Sequence, residues 1–283
     1  MSRVAATAAG RTHGVTRTAR LGWYRTVVEI RQFMRTPELV FFTFLLPVLF
    51  VVIFSTVFSD DIQGPPGVEP VPFPQYFVAG MIAAGVMSTT FTSLAMTVAT
   101  EQYEGLLKRL AGTPLPRASY FLGKIGLATI TSVLQAAIIL AIGTAFYGMT
   151  LPSGTAHWVV FAWVFLLGVA SCSLLGIAFT RLIPNATSAS AIVQPPYLTL
   201  QFISGVFFQY SDVPRWLQVV ACLFPLKWMV QGFRYVFLPD WLAVQDYGGE
   251  WHLEWVALVL VGWTVAAFAL ALLFFRWDRQ GDK

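Results

Sequence analysis

The residues best equipped for polar chemistry stand together in a short break between two long apolar runs: Glu101, Glu104, Lys108 and Arg109, with Gly105 among them and Thr113-Pro114 closing the stretch. Glu104 and Lys108 stand four apart, in the order that favours an ion pair on a short helix. Tyr103, Leu106, Leu107 and Leu110 follow at i, i+3, i+4 and i+7 as an apolar stripe on the same helix. Thr113-Pro114 stops it, because a residue before proline is pushed away from helical geometry. One face to pack, charges to dock and rigid ends suit an element that transmits force. Any surface helix between two membrane spans has the same pattern, so residue physics alone leaves both readings open.

Catalytic chemistry finds little support in the rest of the chain. No Gly-x-x-x-x-Gly-Lys-Ser/Thr run occurs, so no cofactor and no P-loop ATP site of its own is expected. His13, His157 and His252 are isolated, and no His or Cys cluster has metal-ligand spacing. Nor is there a Gly-x-Ser-x-Gly nucleophile elbow. Cys172 and Cys222 are expected to be free thiols.

The elements that must position the polar break follow from composition. Of 283 residues, 57% are hydrophobic and only 11% charged, against roughly 25% charged in soluble domains; the mean hydropathy is +0.67. An all-α integral membrane protein is expected, since a hydrocarbon core of about 30 Å needs about 20 apolar residues per helix with every backbone amide satisfied inside its segment. Six segments meet that demand: Leu39–Phe58, Tyr76–Thr100, Tyr120–Tyr147, His157–Arg181, Ser190–Gln209 and Leu253–Phe275. Of the 18 Lys and Arg residues, all but Arg215, Lys227 and Arg234 then fall on the side of the two termini. Both termini are therefore expected in the cytoplasm. The sequence pI near 9.2 is explained by this asymmetry and the anionic inner leaflet, not by nucleic acid. Asp60, Asp61 and Glu69 give the first outer loop the opposite sign. Residues 1–20 have no hydrophobic core of a signal peptide, so the first span is expected to serve as its own insertion signal.

In chain order, residues 1–20 read as a disordered basic tail and residues 21–283 as a single six-span membrane domain that opens with an amphipathic interface helix over 21–36. Trp23, Val27, Ile30 and Met34 line one face of that helix, and Arg25, Glu29, Gln32 and Arg35 the other. A surface anchor or a helix packed on a partner subunit both fit. Residues 59–75, rich in Pro and Gly, read as an irregular outer loop. The second span holds Ser88, Thr89, Thr90, Thr92, Ser93 and Thr97, hydroxyls suited to helix packing or to lining a path. In the fifth span, Gln194 and Gln201 are seven apart on one face, with Pro195-Pro196 expected to break the helix between them. Interhelical packing and a substrate wall compete there. Residues 213–238 hold two apolar pieces of about ten residues divided by Pro225, each too short to span. They are expected to form a re-entrant helical hairpin in the outer leaflet, rimmed by Trp216, Trp228, Tyr235 and Trp241, acting as an outer gate or as a passive aromatic belt. Lys227 and Arg234 there suit lipid phosphate, Asp240 or Glu250.

The run Glu101-x-x-Glu104-Gly105-x-Leu107-x-x-Leu110-x-x-Thr113-Pro114-x-x-Arg117, with Gly123-Lys124 beyond it, resembles the signature of type-2 ATP-binding-cassette exporter permeases. So do Ser204-Gly205-Val206-Phe207-Phe208, Val213-Pro214-x-Trp216-Leu217, Phe224-Pro225-Leu226 and Gly232-x-Arg234 in the second half. The likeness covers residues 21–277, and its overall style is that of daunorubicin-resistance-type drug exporters. Gln102, Tyr103 and Leu106 depart from residues common in the family's coupling segment.

The resemblance implies that residues 101–118 form a cytoplasmic coupling segment, with Glu101, Glu104, Gly105, Leu107, Lys108, Arg109, Thr113 and Pro114 docking on an ATPase. It implies two copies of a P-loop ATPase subunit binding ATP and Mg, and a second permease, identical or paralogous. A path at the permease interface would be lined by Gln194, Gln201, Phe202 and Phe208, and an outer gate would use Trp216, Pro225, Trp228 and Arg234. The expected location is the bacterial plasma membrane, the other partners are membrane lipids and a small amphipathic substrate, and the expected activity is export of hydrophobic or amphipathic compounds. Lipid or lipid-linked polysaccharide export is the alternative, and a membrane enzyme or assembly factor is more remote. A proton-driven carrier would need acids or bases buried in the spans, and none is expected there.

Overall fold

The computed structural model describes residues 2–58 and 61–275, with side chains from Thr16 onward. The side chains of Arg3, Arg11 and His13, and all of Asp60, Arg276, Arg279 and Lys283, lie outside the described residues. The fold is helical, and its only bridge between extended residues among those described joins Ile62 and Val71 in the first loop.

Helix α1 is Ser2–Met34 and α2 is Pro37–Val57. The helix thus includes residues 2–20, where a disordered tail was expected. Alanine at 5, 6, 8, 9 and 19 favours helix, and no proline occurs before Pro37. The next long helix runs as α3 (Phe73–Met87), a π-helical turn (Ser88–Thr92) and α4 (Ser93–Tyr103). Then follow α5 (Leu106–Ala111), α6 (Arg117–Tyr147), α7 (Thr155–Phe179), α8 (Ala189–Ile203), α9 (Arg215–Cys222), α10 (Pro225–Phe237) and α11 (Leu253–Phe274).

Five helices among the described residues are long and apolar enough to cross a membrane: Pro37–Val57, Phe73–Tyr103, Arg117–Tyr147, Thr155–Leu182 and Leu253–Phe274. The stretch expected as a further span forms α8, whose 15 residues extend about 22 Å at 1.5 Å per residue, short of a 30 Å core. Pro195 and Pro196 do not break it; both sit inside a continuous helix. The missing amides remove the usual helical donors to Ala191 and Ile192.

The Phe73–Tyr103 helix is the centre of the bundle. Nearly all of α3 is buried, because Ala79, Gly80, Ala83, Ala84 and Gly85 let neighbours approach its backbone. A Cβ on Gly80 would lie 2.9 Å from the Val206 carbonyl oxygen, and one on Gly176 of α7 would lie 2.7 Å from that of Phe91 in the π turn. Hydroxyls bond inside the bundle as expected: Thr89 donates to the Gly85 carbonyl at 2.9 Å and meets Ser132 at 2.5 Å, and Thr90 donates to Val86. Cys172 is buried and free, and Cys222, also free, lies 3.3 Å from the Tyr210 hydroxyl.

Gly176→Ala is expected to lower the thermal midpoint of the detergent-solubilised protein by the equivalent of about 1–3 kcal/mol, the usual range for overpacking. Gly262→Ala, whose new Cβ meets open space, serves as the control and should leave the midpoint unchanged.

Candidate coupling site and buried charge clusters

Helix α4 ends at Tyr103, and the chain turns at Gly105, whose φ of 71° puts it in the left-handed region open to glycine. Six residues of α5 follow. Leu107 is fully buried with Val98 and Tyr120, and Leu110, Phe121 and Phe275 pack around them. Tyr103, expected on the buried stripe, is exposed. Thr113 closes the helix by donating its hydroxyl to the Leu110 carbonyl at 2.7 Å. Pro114 is exposed, as are Glu104, Lys108, Arg109 and Thr113.

The expected Glu104–Lys108 pair does not form, because the turn at Gly105 takes the two residues off a common helix. Instead Arg109 Nη2 donates to the Glu104 carbonyl at 3.0 Å. Glu101 is tied into the bundle. Its carboxylate accepts from the Tyr120 hydroxyl at 2.6 Å and from Lys124 Nζ at 2.5 Å. Lys124 also meets Glu29 at 2.8 Å, and Glu29 pairs with Arg25 at 2.7 Å. This cluster joins α1, α4 and α6.

It also sets how α1 sits on the bundle. The polar residues Arg25 and Glu29 face the bundle, while Trp23 and Met34 are exposed. The reason is steric and electrostatic. A Cβ on Gly123 would lie 2.3 Å from the Arg25 side chain, and one on Gly126 2.3 Å from the Thr26 hydroxyl, so α6 presents a glycine groove to α1. Buried Lys124 then supplies the countercharge for Glu29. Contacts of residue 18 with 119, 22 with 122 and 26 with 126 advance together, so the two helices run side by side in the same direction. The expectation of no acids or bases buried in the spans is likewise overturned by Glu101 and Lys124, each paired.

A second cluster occupies the other end of the bundle. Two short helices, α9 and α10, occupy the stretch expected as a hairpin, and α10 is almost wholly buried against α3 and α7. Pro225 opens it, and Trp228 is buried, donating to the Cys222 carbonyl at 2.7 Å. Trp216 on α9 remains exposed. Lys227 and Arg234 pair with Asp246, not with Asp240 or Glu250, and Arg234 also donates to the Gly205 carbonyl and lies 3.8 Å from the Tyr76 ring centroid. Gln231 completes the knot, accepting from Lys227 at 2.7 Å and donating to the Trp251 carbonyl at 2.8 Å. At Asp246, burial disfavours the charge, but Lys227 and Arg234 outweigh it and hold the carboxyl below the ordinary aspartate value. At Lys227 burial prevails over Asp246, and the ammonium is pulled below its usual value.

The residues expected along a path differ in burial. Gln201 is buried and donates to the Tyr197 hydroxyl at 2.5 Å, Gln194 is half-buried, and Phe202 and Phe208 are exposed with ring centroids 6.4 Å apart. The residues that sequence reasoning missed are Arg25, Glu29, Tyr120 and Asp246. The available signal was Lys124 inside an apolar run, because an ionisable residue in a span calls for a partner.

These features define a multi-pass helical membrane protein with a short charged helix anchored between its second and third long helices. The chain belongs to the ABC-2 type transporter family, whose model matches residues 23–238. Inner membrane transport permease YadH of Escherichia coli strain K12 is 24% identical over 219 residues, which span 74% of this chain and 80% of that protein. Putative transport permease ycf38 of Cyanophora paradoxa is 25% identical over 209 residues, 73% of this chain and 70% of that protein. Probable multidrug ABC transporter permease YbhR of E. coli K12 is 27% identical over 194 residues, 68% of this chain and 50% of that protein. The protein is therefore a transport permease subunit, and its family implies an ATP-binding partner subunit.

Asp246→Asn leaves Lys227 and Arg234 buried without a countercharge, a loss of about 3–5 kcal/mol that should appear as a lower thermal midpoint at pH 7. Since the folded carboxyl titrates below its unfolded value of about 3.9, its stabilisation is complete above that value and fades as pH falls through the folded one. The gap between native protein and variant should therefore narrow below about pH 4.

Proposed function

We propose that this permease couples ATP hydrolysis on a separate subunit to export of hydrophobic or amphipathic compounds, as a member of the daunorubicin-resistance-type drug exporters. The observation that carries the reading is α5: Leu107 and the Glu101–Lys124–Glu29 cluster fix its base, while Glu104, Lys108, Arg109, Thr113 and Pro114 stand exposed. A push on that face reaches α6 and α1 through buried contacts, with Gly105 as the flexible joint. The functional complex holds two copies of a P-loop ATPase that binds ATP and Mg, and a second permease, identical or paralogous.

Phe121 and Phe275 meet edge to face at 4.9 Å, and α1 packs on the first turns of α6. Both described ends of the chain thus lie at the α5 end, which supports a further crossing by α8 with its flanking turns and a cytoplasmic assignment for that end, in line with the positive residues. The exposed pair Phe202 and Phe208, with Gln194 and buried Gln201 behind them, lines the substrate path where the second permease meets α8. At the far end, Trp216 of α9 and Pro225, Trp228 and Arg234 of α10 belong to the gate at the exit. The host membrane is a bacterial plasma membrane.

A strain lacking this chain should become hypersensitive to amphipathic antibiotics and recover with the intact gene. Restoration with Glu104→Ala, or with the double variant Lys108→Glu/Arg109→Glu, should leave export at least tenfold lower at equal membrane abundance. Normal export by either well-expressed variant would refute the coupling role. Unchanged susceptibility with an altered envelope would instead point to lipid or glycan export.

A further inference from the structure

An apolar groove of about 540 Å³ lies between α6, α7 and α11 at the α5 end of the bundle. Phe121 and Phe275, edge to face, form part of its wall, and Ile125, Leu174, Ile177 and Phe268 extend it along the helices. It faces outward, since Leu122, Phe268 and Leu272 are 44%, 53% and 70% exposed. From Arg117 to Ile125 it follows α6 for about 12 Å at 1.5 Å per residue, the direction a hydrocarbon chain takes beside a membrane span. The wall atoms of such a groove lack packing partners unless a chain fills it.

The charge around this groove is one-sided. Arg117, on the first turn of α6, is exposed and is the only charged residue among the described ones that line it. The Ser119 hydroxyl donates to the Thr18 carbonyl at 3.0 Å, which brings exposed Arg17 and Arg20 of α1 to the level of that turn. Helix α1 borders the groove, because a Cβ on Gly22 would lie 2.8 Å from that of Leu122. On α7, Leu174, Ile177 and Arg181 follow at i, i+3 and i+7, so exposed Arg181 continues the lining face by one turn. Glu29 and Glu101, the acids buried at this end, are already held by Arg25, Lys124 and Tyr120.

We propose that this groove binds an anionic phospholipid of the surrounding bilayer, with one acyl chain between α6, α7 and α11 and the phosphodiester at Arg117, Arg181 and the α1 arginines. The guanidinium fork matches phosphate geometry, and basic pockets between membrane helices collect anionic headgroups. A zwitterionic lipid brings its own ammonium to the same arginines, which removes the advantage. The inference goes beyond the transport reading, because it assigns a lipid held by the fold whatever the cargo. Phe121 and Phe275 also pack on the cluster of Val98, Leu107 and Tyr120, so the lipid buttresses the foot of α5.

The test is native mass spectrometry of the full chain, delipidated in detergent and titrated with dioleoylphosphatidylglycerol or dioleoylphosphatidylcholine. Phosphatidylglycerol should reach half-occupancy at a concentration at least about fivefold lower. Arg117→Gln should reduce that preference at least about threefold, while Arg35→Gln, an equal loss of charge at an exposed position of α1 outside the lining, should leave it intact. Ala271→Trp and Leu272→Trp each put bulk into the groove and should weaken phosphatidylglycerol binding at an unchanged thermal midpoint. Val265→Trp, exposed on the same helix outside the lining, should not. Equal half-occupancies for the two lipids overturn the proposal, as does a preference that falls equally with Arg35→Gln or lipid binding that survives both lining tryptophans. A dimer mass lost with those tryptophans while lipid binding stays unchanged would assign the groove to a second copy and overturn it as well.

Discussion

A charge taken out of water into a helical bundle is costly unless a partner of opposite sign and further hydrogen bonds meet it there. Two knots of side chains obey this constraint at opposite ends of the protein, and each ties together segments distant in the chain. At one end Lys124 of α6 draws Glu29 from α1 and Glu101 from α4. At the other, Asp246 receives Lys227 and Arg234 from α10, and Arg234 reaches back to the Gly205 carbonyl beyond α8. Removing any one partner leaves an uncompensated charge, so each cluster holds its helices in one register.

Between the knots, the bundle is held by close contact instead of charge. Small residues on α3 allow the backbone of Val206 to approach Gly80, and the π turn brings the Phe91 carbonyl against Gly176. In a membrane, such contacts supply the packing that the hydrophobic effect supplies in water. π-helical turns recur at functional positions. This one stands between the buried α3 and the α4 segment that leads to α5. Displacement at α5 thus meets a rigid buried foot at Leu107, a glycine joint at Gly105, and a charged cluster shared with α1 and α6.

Helix α5 shows how far local pattern carries. Leu107 was legible as an apolar contact and Thr113-Pro114 as a stop, because both depend on neighbours within one turn. The Glu104–Lys108 pair was not, since a single left-handed glycine redirects the chain between the two residues. On α1, the two faces read from periodicity did not decide which residues the bundle would bury. Periodicity separates an apolar from a polar side, but in a membrane either one can face protein, and the glycine groove of α6 with Lys124 decided for the polar one. Pro195 and Pro196 read as a break, whereas the packing around α8 retains a continuous helix despite two absent amide donors.

By itself, the sequence determined that the chain is a helical membrane protein, where its long apolar helices fall, and which short segment between them holds exposed charge. These follow from hydrocarbon thickness, backbone hydrogen bonding and residues adjacent in the chain. Only the tertiary structure decided that Glu101 meets Tyr120 and Lys124, that Lys227 and Arg234 share Asp246, and that α10 is buried among its neighbours. Those outcomes depend on which charges meet across 95, 23, 19 and 12 residues of separation, and the desolvation cost that selects such partners exists only once the helices have packed.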